Sequence, residues 1–235
     1  VGKTLDPRFD VEKRKVTTMN VKHVSVLAGG ASLLLASAAG AAFNGLSYDV
    51  TSSMADGISG HWTARIYAEL GAGDRLDAVY GNGSNPLSMG TTSSLYQNAF
   101  GGDTSAAINP ALYGAFSSLV YDSWVTIGLE DQVDNALSDI GMNFGADEVS
   151  TSDGSFYITP DDAQGQEVGG RVLIAQFTTS GSDSHLVGTI SMQGKNADGS
   201  NWTAESVSYD YTLPAPGALA LLGLAGIAGR RRRRA

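Results

Sequence analysis

Apolar and polar residues alternate with period two over several short stretches of this chain, the pattern of strands buried on one face. Trp62, Ala64, Ile66, Ala68 and Leu70 alternate with Thr63, Arg65, Tyr67 and Glu69, and after Gly71-Ala72-Gly73-Asp74 the alternation resumes at Leu76, Ala78 and Tyr80. That pattern predicts a β-hairpin over residues 62–80. Residues 81–109, dense in Gly, Ser, Asn and Thr, read as loop, and Asn109-Pro110 opens a helical turn that reaches Phe116. A strand is expected around Tyr121, Trp124, Val125 and Ile127, with loop or a short helix over 131–139. Further strands are expected at 156–158, 172–178, 186–193 and 206–212. Gly181-Ser182-Asp183 and Asp198-Gly199-Ser200 supply turns between the last three, which predicts an antiparallel meander. No repeat of fixed period is visible. Many short strands between turn-forming residues predict a mainly β fold, an antiparallel β-sandwich or jelly-roll-like single domain over 42–212.

Two segments break the alternation by being continuously apolar, and they flank this domain. Residues 24–35 are apolar, follow the positive pair Lys22 and His23 after Met19, and give way to small residues over 36–42. This is the build of a secretory signal peptide over 19–41. Ala39 and Ala41 supply the small residues that signal peptidase requires, with cleavage before Ala42. Residues 1–18 are charged and apolar-poor, and read as an upstream extension or a mis-assigned start. At the other end Leu213-Pro214-Ala215-Pro216 precedes an apolar run over 217–229 and then Arg230, Arg231, Arg232, Arg233 and Arg234. About 13 helical residues cover roughly 20 Å, against roughly 30 Å of bilayer hydrocarbon, so the expected transmembrane helix is short and its anchorage transient. Five arginines cannot cross a bilayer; they hold the C-terminus in the cytoplasm and leave the body outside. Pro214 and Pro216 keep the preceding backbone extended, the form a protease cleft takes.

Residues 213–235 resemble the PEP-CTERM sorting signal of exopolysaccharide-producing Gram-negative bacteria. Pro214-Ala215-Pro216 stands where that family has Pro-Glu-Pro, followed in the same order by the apolar helix and the basic cluster. The resemblance implies export by the Sec translocon and removal of the tail by exosortase, a membrane protease. It further implies release to the cell surface or the extracellular polysaccharide matrix of a biofilm. Within the body, 65–69 with 74–81, 121–128 and 159–165 are similar to segments of other PEP-CTERM-tailed proteins. That likeness supports a recurring extracellular β domain and assigns it no activity.

Charge sharpens this picture. Residues 42–213 hold four basic residues, Arg65, Arg75, Arg171 and Lys195, against 21 acidic ones, a net charge near −17, whereas the whole chain carries −9. Such a surface repels nucleic acid and polyanionic polysaccharide unless divalent cations bridge them. Cysteine is absent, which excludes disulfides and thiolate chemistry.

Candidate chemistry in the body is sparse. Asp74 with Asp77, Glu130 with Asp131, Asp147 with Glu148 and Asp161 with Asp162 are the carboxylate pairs that glycoside hydrolysis would use, and in so acidic a chain they read first as solvated faces. His61 and His185 lack the spacing of a zinc site. Ser123 lacks a nucleophile elbow and reads as a strand residue. Oxygen-rich stretches at 147–153, 161–167 and 196–201 are the places for a structural calcium, although none matches a known calcium loop. Trp62 and Trp124 lie within apolar alternations and read as core, whereas Trp202, beside a turn, is the expected surface aromatic for glycan contact. The leading expectation is a non-enzymatic structural or adhesive protein. The alternatives are a lectin-like carbohydrate-binding module, with or without calcium, and then a secreted glycan hydrolase or lyase.

Overall fold

The computed structural model describes residues 42–53, 55, 57–180 and 184–214; the predicted signal peptide, Ala39, Ala41, Ala215, Pro216, the C-terminal apolar run, Arg230 to Arg234 and the turn at 181–183 lie outside them. The described residues form twelve strands and four short 3-10 turns, without an α-helix. No helix among them is long and apolar enough to cross a membrane. The strands are β1 (Phe43–Ser52), β2 (His61–Leu70), β3 (Arg75–Gly81), β4 (Leu87–Thr91), β5 (Trp124–Val125), β6 (Ser138–Ile140), β7 (Asn143–Phe144), β8 (Glu148–Thr151), β9 (Gly154–Tyr157), β10 (Arg171–Ser180), β11 (His185–Lys195) and β12 (Asn201–Thr212).

They build two antiparallel sheets. The smaller runs β1-β2-β10-β5; in the larger, β11 pairs with β12 on one side and with both β3 and β4 on the other. β3 and β4 are collinear, because Ser191–Lys195 of β11 faces β3 and Leu186–Thr189 faces β4. The same holds one row out, where β9 pairs with β3 and β8 with β4, and again for β6 and β7 beyond them. The larger sheet is thus five long strands, three of which break side by side at 82–86, 152–153 and 141–142.

Glycines make that crease. A Cβ on Gly154 would sit 2.5 Å from the Ile140 carbonyl oxygen, and one on Gly141, whose φ is +65°, would sit 2.6 Å from that of Asp153. β12 is irregular at the same level: Ser206 has φ +51°, and its hydroxyl donates to Asn85 Oδ1 across β11 at 2.6 Å.

The sheets enclose one principal core. Ala64, Ile66 and Ala68 of β2 and Ile174 and Phe177 of β10 meet Leu76 and Val79 of β3, Met89 of β4, Phe156 of β9 and Ile190 and Met192 of β11, all fully buried. Tyr48 of β1 stacks on Tyr211 of β12 at 4.5 Å between ring centres and closes one side of the sandwich between the two edge strands. Burial pushes the Tyr48 phenol up to about 12. A second cluster, Ile108, Leu119, Trp124 and Leu173, lies under the 3-10 turns at residues 105–121.

Two predicted pairings are corrected. β2 and β3 are not a hairpin: β2 belongs to the smaller sheet and β3 to the larger, so 71–74 is an arch between layers. Alternation dictates which face is buried and leaves the hydrogen-bonded partner unspecified. Likewise β10 and β11 lie in different sheets, so of the expected meander only the β11–β12 hairpin forms, around Gly199 with φ +84°. Within β3 a bulge opposes Leu76 and Ala78 to consecutive residues of β11, which leaves Leu76 and Val79 in the core and turns Ala78 outward. β4 lies in the stretch expected to be loop, and Tyr121 ends a 3-10 turn rather than joining a strand. The helical turn at Asn109 is present, its side chain accepting from the Ala111 N–H.

The body has two poles. The Ala42 carbonyl accepts from Gly71 at the pole where β2 ends, and Leu213 donates to Ser184 at the pole where β2 begins. Ten strand residues separate them, roughly 30 Å.

Candidate functional site

The sequence-predicted processing positions that can be described are packed. Ala42 is 4% exposed and Leu213 2%, both within the principal core. Pro214 follows Leu213 directly at the surface end of β12.

Trp202 is corrected. It is 5% exposed, its ring lies against Gly194, and its indole N–H donates to the Arg75 carbonyl at 3.0 Å. It is therefore packed into the sheet rather than standing free at the surface, although it belongs to the lining of the groove described below. The physical reason is register: Trp202 pairs with Gly194, the one β11 position in that row with no side chain, and the indole fills the space. Trp62 and Trp124 are core residues, as expected.

The carboxylates are distributed among separate tasks. Asp74 accepts from the Ala197 N–H at 2.8 Å, tying the arch to the β11–β12 turn, while Asp77 accepts from Arg75 Nε at 2.7 Å. Glu130 accepts from both terminal nitrogens of Arg65, whose Nε donates to Gln176, and Asp131 caps Val133. Glu148 accepts from Ser88, and Asp162 from the Gln164 N–H. Asp161 lies 3.4 Å from Arg75 and 3.7 Å from Lys195, two like charges directly opposed in register. That bridge offsets the repulsion of the cross-strand pair. Glu167 receives the N–H groups of Gly73 and Gly170, which hold its carboxyl below the usual range. In the third oxygen-rich stretch Asp198 is taken by Ser200, and no group of three or more His, Asp or Glu residues that could hold a metal forms among the described residues. His61 packs edge-on to Tyr96 and His185 pairs with Asp210 at 2.6 Å, so the two histidines have separate partners. Ser123 is buried and bonds the Thr178 backbone.

Two features carry no clear signal in composition. Asp122 is fully buried, receives the N–H groups of Asn98 at 2.6 Å and Gly102 at 2.9 Å, and takes part in none of the ion pairs among the described residues. Desolvation pushes its carboxyl up to about 6, against the pull of those backbone donors. It secures the loop at 97–102.

The other is a groove of about 530 Å³ on the outer face of the larger sheet. Its axis is one register row: Tyr157 of β9, Ala78 of β3, Gln193 of β11 and Thr203 of β12 stand side by side across four strands. Ala78 keeps the floor low, and Pro160 and Lys195 stand at its margins. Tyr157 is 36% exposed. The strand phase could have located it, since Phe156 fills the core and Tyr157 must then point outward.

Comparisons with family models, with curated proteins and with solved structures find no match to this chain.

Proposed function

We propose that this chain is an exported, non-enzymatic protein whose β body serves a structural or adhesive role at the cell surface or in the extracellular polysaccharide matrix. Its N-terminal signal peptide is removed by signal peptidase after Sec export, and its C-terminal tail, after transient insertion in the membrane, is cut near Leu213-Pro214-Ala215-Pro216 by an exosortase-type protease. One observation supports the reading above others. Ala42 and Leu213, the residues beside the two expected cuts, are both packed in the principal core, so cuts at those points would leave it intact. Asp74, Asp77 and Glu130 are taken by Ala197, Arg75 and Arg65, ties that serve a structural body.

The test is intact-mass analysis of the protein purified from its native host. The expected species begins near Ala42 and lacks Arg230 to Arg234. Retention of the arginine block, or of residues 19–41, would overturn the proposal.

A further inference from the structure

We propose that the groove on the outer face of the larger sheet binds a neutral glycan chain, laid across the strands between Tyr157 and Thr203. This builds on the carbohydrate-binding alternative raised by the sequence, with a different aromatic residue, and it is independent of the processing at either end.

Three observations carry it. The first is unspent hydrogen bonding. Gln97, Gln164, Gln166 and Gln176 all donate their amides to internal partners, as struts between loops and strands. Around the groove the side chains of Ser155, Gln193, Asn201 and Thr203 have no intramolecular partner among the described residues, and they converge on one cavity. Amides and hydroxyls that can both donate and accept are what a polyhydroxyl ligand requires. The second is shape. Four strands at the usual spacing give a track of roughly 15 Å, the length of a short oligosaccharide, with an exposed tyrosine at one end to take the apolar C–H face of a pyranose. Ala78 is the low point of that track, and it is only 6% exposed because its larger neighbours stand above it.

The third is charge, which selects the ligand's type. The two cations nearest the groove, Arg75 and Lys195, are held by Asp77 and Asp161. Each of the two therefore already faces a carboxylate, and the body's net charge near −17 repels polyanions at longer range. An uncharged chain meets neither obstacle.

The experiment is affinity electrophoresis of the protein purified from its native host, in native gels containing hydroxyethylcellulose, galactomannan or dextran, with alginate as the polyanion. Retarded migration in at least one neutral gel and none in alginate is expected. Tyr157→Ala and Gln193→Ala should each weaken that retardation at least about tenfold. Both residues are exposed, and Gln193→Ala serves as the independent variant should Tyr157→Ala melt early. Absence of retardation in all three neutral gels overturns the proposal, as does retardation in alginate alone or retardation that neither variant changes. The mass analysis of the same preparation reports separately on export, so the two proposals fail independently.

Discussion

Asp122 gives the sharpest quantitative prediction. Its carboxylate is fully buried without a cation, and its pKa stands near 6 in the folded protein against an ordinary 3.8. Because the folded pKa is raised, the native state binds the proton more tightly than the unfolded chain does. Stability therefore rises as pH falls through about 6, and the gain is complete below the unfolded value. A shift of about 2 units corresponds to about 3 kcal/mol at 1.36 kcal/mol per unit. Asp122→Asn removes the titration. It also replaces one of the two oxygens that receive Asn98 and Gly102 with a nitrogen, a penalty that does not vary with pH. Urea unfolding of both proteins at pH 7.5 and at pH 4 separates the two effects, since the other carboxylates titrate alike in each and cancel in the difference. Between pH 7.5 and pH 4, just above the unfolded value, the wild type should gain about 2.4 kcal/mol of that relative to the variant. Parallel stability profiles would refute the assignment of Asp122 as a buried, unpaired acid.

Three further outcomes follow from the packing. Trp202→Ala should cost about 3 to 5 kcal/mol in urea unfolding, because it empties a core site and leaves the Arg75 carbonyl without its donor; a loss under 1 kcal/mol would return Trp202 to the surface. Gly154→Ala, which drives a methyl into the Ile140 carbonyl, should cost about 1 to 3 kcal/mol, whereas Gly83→Ala, with nothing within 4 Å, should leave Tm unchanged; equal effects would contradict the crease. Millimolar calcium or a chelator should leave Tm unmoved, since Asp161, Asp162 and Asp198 are engaged by Arg75, Gln164 and Ser200; a calcium-dependent rise in thermal melting would contradict that.

Much of the fold was legible because burial imposes a period. The alternations at 62–70, 172–178, 186–193 and 206–212 all lie in strands, and Trp62 and Trp124 fall in the core. What alternation cannot convey is the partner. The four residues after Leu70 would close a hairpin equally well, but Asp74 reaches the Ala197 N–H at the β11–β12 turn and the chain crosses to the other sheet. β4 was hidden by brevity: Leu87 and Met89 are its only large apolar residues, set among Gly, Ser and Asn. Trp202 misled because its neighbours mark a turn, whereas its environment is fixed by Gly194 on another strand. The groove was illegible for the same reason, since Tyr157, Ala78, Gln193 and Thr203 are brought together only by register.

The two poles have a mechanical consequence. β1 leaves Ala42 at one pole and β12 arrives at Leu213 at the other, and each is the outermost strand of its sheet, bonded along its length to an antiparallel neighbour. Tension applied between those two points runs along both strands. It therefore loads the β1–β2 and β11–β12 ladders in shear, with their hydrogen bonds strained together, rather than peeling them open one rung at a time. A body held by one end and pulled by the other meets its strongest resistance along that axis.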